Sequence, residues 1–118
     1  MSKALVSYSQ VDSEIADEIV RTLLKENIAI VRDVRDLSWG ESVELKVDKG
    51  FNEISTVLVI ISAASLKSQW MPYVIGYVTG RGKKVIPFIT DTSLEIPADI
   101  KGLICFTQIN QIQKYFSE

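Results

Sequence analysis

The sequence predicts an α/β protein in which a parallel sheet of short strands is covered on both faces by helices. Three observations carry that expectation. Residues 56–61, TVLVII, are uncharged and mostly β-branched, which is the signature of a strand buried on both faces. Residues 13–26 place Ile15, Ala16, Ile19, Val20, Leu23 and Leu24 on one stripe of a 3.6-residue helix. Short apolar runs alternate with such helical stretches along the chain, the pattern of strand–helix–strand units.

Residues 3–8 read as the first strand, with Ala4, Leu5 and Val6 its apolar part. Ser9 and Asp12 are both suited to cap the helix that follows. Asp12, Glu14 and Asp17 lie near the start of that helix and Lys25 near its end, so the charges complement the helix dipole. Asn27 is a stop residue. Residues 28–32 form a short second strand, and the irregular polar stretch DVRDLSWGES follows over 33–42.

A second helix is expected over 43–54, with Val43, Val47, Phe51 and Ile54 facing inward. Gly50 within it should cost roughly 1 kcal/mol relative to alanine. After the strand at 56–61, Ser62 opens a small polar loop. Pro72 fits the first turn of a third helix, where its missing amide hydrogen is not needed. Met71, Val74, Ile75 and Val78 form the inward stripe, and Gly80 and Gly82 end the helix.

KVIPFI, residues 84–89, is the fourth strand, and its Pro87 removes one ladder donor, as at an edge or a partly paired position. A long polar loop over 90–101 precedes a short fifth strand at 103–106. Residues 109–116 form a terminal helix with Ile109, Ile112 and Phe116 inward. The expected architecture is one domain over residues 1–118. It is a flavodoxin-like three-layer sandwich with a five-stranded parallel sheet in the order 2-1-3-4-5. Its functional crevice should lie at the carboxyl ends of the strands, around Tyr8, Ser9, Asp33, the stretch from Ser62 to Trp70, and Thr90 with Asp91.

Composition narrows the chemistry. The 118 residues are 47% hydrophobic and 24% charged, as in a folded domain. With 13 basic and 15 acidic residues the formal charge is -2, and Arg81, Lys83 and Lys84 are too few for a phosphate track, so no nucleic-acid partner is expected. The chain has no histidine, which removes the usual general base and most zinc sites. Asp33 and Asp36 are the only close acids in the second loop, and a magnesium site would want acids after the first strand, where Tyr8 and Ser9 stand. No metal is therefore expected. The single cysteine, Cys105, sits in the apolar run LICF and reads as a buried thiol. No apolar run approaches membrane-spanning length and the N-terminus reads as a strand, so no membrane partner and a cytoplasmic location are expected.

The strand ends also carry a family pattern. ALVSYSQVDSEIADEIVRTL, IAIVRDVRDLSWGESV and ISTVLVIISAASLKSQW followed by a helix and GKKVIPFI occur in this order. Over residues 4–89 the sequence resembles the Toll/interleukin-1 receptor (TIR) domains of the small prokaryotic type. The resemblance implies one of two activities. One is self-association, or binding to another TIR-domain protein, in signalling or antiphage defence. It would use the loop after the second strand, here Arg35, Leu37, Trp39, Gly40, Glu41 and Ser42, with the faces of the second and third helices. The other is cleavage of NAD at the nicotinamide–ribose bond. NAD would then be ligand or substrate in a crevice lined by Tyr8, Ser9, Asp33 and Trp70.

In the family's NAD-cleaving enzymes a glutamate four residues after the tryptophan holds the ribose hydroxyls. That position here is Val74, and no glutamate lies between Glu53 and Glu95 and no aspartate between Asp48 and Asp91. The expectation is therefore a domain with no catalytic residue of its own and no cofactor. An NAD glycohydrolase or cyclase with an acid supplied by another subunit is the alternative, and a sensor that binds NAD or cyclic ADP-ribose without turnover is a third. Trp70 either stacks on such a ligand or fills the gap between helix and sheet. Asp33 either meets the ligand or anchors its loop. Val74 also fits the inward stripe by spacing alone.

Overall fold

The computed structural model describes residues 3–36 and 53–117. Four strands form one parallel sheet: β1 (Lys3–Tyr8), β2 (Ala29–Val34), β3 (Thr56–Ile61) and β4 (Lys84–Ile89), in the spatial order β2-β1-β3-β4. The helix expected over 43–54 lies outside the described residues except for its last two positions. Ile54 is buried against the sheet.

Alternation along the strands sends residues to opposite faces. Ala4, Val6, Tyr8, Leu58, Ile60, Ile86 and Phe88 pack under helix α1 (Ser13–Lys25) and helix α5 (Ile109–Ser117). α1 contributes Ala16, Ile19 and Leu23, while Leu24 at the end of the expected stripe is exposed. Leu5, Val57, Val59, Ile61, Val85 and Ile89 face the other way, onto helix α3 (Trp70–Gly80). All six residues of β3 are buried, as a strand covered on both faces requires.

β2 runs two residues further than its apolar content indicates, because its pairing with β1 continues from Lys3↔Ala29 to Tyr8↔Val34. The polar stretch after Ser62 is in part a short helix, α2 (Ala63–Lys67). Ser62 and Ser65 close a reciprocal capping box at its start, which two small hydroxyl residues three apart can supply. Pro72 sits in the first turn of α3. A further short helix, α4 (Ala98–Lys101), lies in the loop after β4.

The fifth strand expected over 103–106 is a single parallel bridge between Phe88 and Phe106. The amide of Phe106 donates to the carbonyl of Pro87 at 2.8 Å, and the amide of Ile89 donates to the carbonyl of Phe106 at 2.8 Å. The next rung would need an N–H at residue 87 aimed at the carbonyl of Ile104, and proline has none. Ile104 is accordingly 64% exposed. Cys105, beside it, is only half-buried. Its thiol donates to the carbonyl of Leu103 at 3.4 Å, and burial pushes its pKa up.

Candidate functional site at the carboxyl ends of the strands

Parallel strands deliver their polar ends to one rim, and here that rim is held together by hydroxyl–carboxylate pairs. β1 ends in Ser7, Tyr8 and Ser9. The Ser9 hydroxyl donates to Oδ1 of Asp36 at 2.5 Å, and the Gln10 amide donates to both oxygens of the same carboxylate at 3.1 Å. Asp36 is thereby fixed to the end of β1 just where the chain leaves β2.

The backbone follows the same course, since the Arg35 amide donates to the carbonyl of Tyr8 at 2.7 Å. Arg35 is buried, and its Nε donates to Oδ2 of Asp33 at 2.8 Å. The hydroxyl of Ser7, fully buried in β1, approaches the same oxygen at 3.4 Å. The guanidinium of Arg32 lies 5.7 Å over the ring of Tyr8 and pairs with Asp17 of α1. That hydrogen bond holds the Arg32 pKa above its ordinary value.

A second clasp joins β3 to α1. The Ser62 hydroxyl donates to Oδ2 of Asp12 at 2.5 Å while accepting the Ser65 amide at 3.2 Å. Neither Ser9 nor Asp12 makes a side-chain cap bond at its own helix start, although each occupies a cap position. Their polar atoms are committed across the sheet instead. At the end of β4, Thr90 donates its amide and hydroxyl to the carbonyl of Ile61 at 3.0 and 3.2 Å. Asp91 next to it accepts the amide and hydroxyl of Ser93 at 2.9 and 2.7 Å, which holds its pKa below the usual carboxylate range.

The structure thus brings Tyr8, Ser9, Asp33 and Arg35 together at the rim, with Asp12, Asp36 and Ser62 as hydrogen-bond partners in pairings that the sequence reading did not anticipate. The sequence marks them as a helix cap, a loop acid and the start of a loop, and carries no sign that they meet their partners across the sheet. Trp70 and Val74 lie below the rim, one helical turn apart on the inward face of α3, both fully buried in the apolar cluster. Among the described residues, Nε1 of Trp70 is a buried side-chain nitrogen without a hydrogen-bond partner. Leu37, Trp39, Gly40, Glu41 and Ser42 lie outside the described residues.

Two grooves among the described residues lie away from this rim, along the β4 edge. One of about 310 Å³ is lined by Lys84, Val85, Leu103 and Ile104, and one of about 350 Å³ by Phe106 and Tyr115. No described cluster of three or more Cys, Asp or Glu has metal-binding geometry. No helix among the described residues is long and apolar enough to cross a membrane.

A parallel α/β sheet with the order β2-β1-β3-β4 and a serine–aspartate rim places the chain among the doubly wound domains whose function resides at the strand ends. The chain belongs to the TIR domain family, whose model matches residues 5–116. No curated protein matches it.

Proposed function

We propose that this domain is a non-catalytic interaction module, an adaptor, scaffold or regulator that self-associates or binds other TIR domains in signalling or defence. The observation that carries this reading is Val74. The family's NAD-cleaving enzymes place a glutamate four residues after the tryptophan, and this chain has valine there, fully buried beside Trp70 in the α3-side core. An isopropyl group accepts no hydrogen bond and cannot balance the positive charge that develops on a ribose. A carboxylate among these apolar neighbours would itself be desolvated and disfavoured.

On this reading the contact surface is the loop carrying Leu37, Trp39, Gly40, Glu41 and Ser42, which follows the buried Arg35, with the faces of the helix expected over 43–54 and of α3. The aspartates of the rim support the reading in a second way. Asp33 and Asp36 are engaged by Arg35, Ser9 and Gln10, an arrangement that sets the direction in which the chain enters the loop.

The test is to incubate the purified domain with NAD at high protein concentration and follow free nicotinamide by chromatography, with light scattering on the same sample. The expected result is no nicotinamide, together with assembly that a Leu37→Ala/Trp39→Ala variant weakens. Nicotinamide release in proportion to protein would overturn the reading in favour of an NAD glycohydrolase or cyclase with an acid from another copy. Retention of intact NAD would favour a sensor that binds at the rim beside Ser9 and Asp33, with Tyr8 and Trp70 buried on opposite faces of the sheet.

A further inference from the structure

β4 (Lys84–Ile89) is the outer strand of the sheet, and its outer edge is only partly paired. The Phe106 bridge fixes which backbone groups face outward. The carbonyl of Pro87 and the amide of Ile89 bond Phe106, whereas the amide of Lys84 turns inward to the carbonyl of Ser55. By that alternation the amide and carbonyl of Val85 also point outward. Among the described residues nothing across this edge bonds them. The chain before Phe106 stands off from β4 here, and a groove of about 310 Å³ lies between Val85 and Leu103 with Ile104.

The two sides of this edge differ in chemistry. Val85 faces the α3 side, where Leu103 and Ile104, the latter 64% exposed, make the groove apolar. Lys84 lies on the other side and lays its Nζ 4.8 Å over the ring of Tyr115 in α5. Lys83 lines the same groove, and Lys114 lines the neighbouring one beside Tyr115. Among the described residues no acid lines either groove. The sequence itself has none between Glu53 and Asp91 or between Asp99 and Glu118, so the edge is a positive strip on a chain of formal charge -2.

We propose that the β4 edge docks a short extended segment of a partner protein in which acidic and apolar residues alternate. The outward amide and carbonyl of Val85 call for an extended backbone, which adds itself to the sheet as a further strand. Successive side chains of such a strand point to opposite faces. Those on the α3 side enter the apolar groove at Val85, Leu103 and Ile104, and those on the α5 side bring carboxylates to Lys84 and Lys114. A nucleic acid would supply charge without apolar side chains, and a lipid acid would leave the Val85 amide and carbonyl unpaired. This edge is distinct from the loop after β2, and its use does not depend on self-association through that loop. Pro87 has no amide and its carbonyl is taken, so the pairing is short and an isolated segment should bind with Kd of about 0.1–1 mM.

The test is an NMR titration of the full chain with a blocked six-residue peptide that alternates glutamate and valine. Binding should shift the Val85 amide and slow its hydrogen exchange. It should weaken about tenfold or more in Lys84→Glu, and it should weaken as salt is raised. Thermal unfolding of that variant checks that the fold is kept. The same peptide methylated on every backbone nitrogen should not bind. Binding that leaves the Val85 amide unmoved, or that survives the methylation, would overturn the strand pairing. Equal affinity in Lys84→Glu, or for a peptide with lysine in place of glutamate, would overturn the acidic partner. Slowed Val85 exchange that appears with protein concentration alone would overturn the proposal by assigning the edge to a second copy, and so would no binding at several millimolar peptide.

Discussion

The hydroxyl of Ser62 donates to Oδ2 of Asp12 at 2.5 Å and so ties the end of β3 to the start of α1, 50 residues earlier in the chain. Ser62 is buried and also caps α2, so one side chain fixes three elements. Asp12→Ala removes a charged acceptor from a part-buried hydroxyl and should destabilise the fold by about 1–3 kcal/mol. Thermal unfolding would register this as a fall of several degrees, and an unchanged midpoint would show that the clasp contributes nothing.

Pro87 ends the pairing on the outer edge of β4. Pro87→Val restores an amide aimed at the carbonyl of Ile104 and should lengthen the one-residue bridge at Phe106 into a short strand. Hydrogen exchange at residue 87 would then be slow. Exchange at the rate of an exposed amide would mean that something other than the missing donor keeps residues 103–105 off the edge.

Val74→Glu places a carboxylate in the apolar cluster between α3 and the sheet. Burial disfavours the charged form, so the folded-state pKa of the new acid should rise above the unfolded value of about 4.3. A raised acid favours folding below the unfolded pKa and progressively loses that advantage as pH rises through the folded value. The variant should therefore be several kcal/mol less stable than wild type at neutral pH, and measurably closer to it near pH 5. Urea unfolding at the two pH values checks this, and an equal deficit at both would show that the carboxylate has found solvent.

Asp91 offers a titration with the opposite sign. Its pKa is depressed by the Ser93 amide first and the Ser93 hydroxyl second. A depressed acid stabilises the fold above the unfolded pKa, and that contribution is lost as pH falls through the folded value. Ser93→Ala removes the hydroxyl and keeps the amide, so the Asp91 pKa should move part of the way up toward the ordinary carboxylate value. A side-chain NMR titration measures it directly, and no movement would mean the hydroxyl bond is not kept in solution.

The layout of strands and helices was legible because burial on two faces leaves an unmistakable composition. TVLVII could hardly be anything but a central strand, and the α1 and α3 stripes name their own inward faces. The edges were less legible because pairing there depends on single backbone groups. Asp33 joins β2 because the pairing with β1 runs on to Tyr8↔Val34, and residues 103–105 pass an edge where position 87 has no amide to offer.

The rim was the least legible part. Ser9 and Asp12 occupy cap positions and were read as caps, yet their side chains bind Asp36 and Ser62, 27 and 50 residues away. A local propensity rule cannot see a partner that only the folded sheet brings near. Val74 shows the same limit from the other side. Its spacing places it in the apolar stripe, and the expectation of a glutamate there comes from the resemblance alone and not from any pattern in the residues.

The placement of β1 between β2 and β3 has a consequence for the chain during its synthesis. β1 is made first, and β2 can cover one of its edges once residue 34 has emerged. The other edge stays open until Thr56–Ile61 arrives, leaving buried-type residues such as Leu5 and Val6 beside an unpaired backbone. For that interval the nascent domain is an exposed hydrophobic template, open to pairing with any neighbouring strand. The length of the stretch between β2 and β3 therefore sets how much chain must be made before that edge can close.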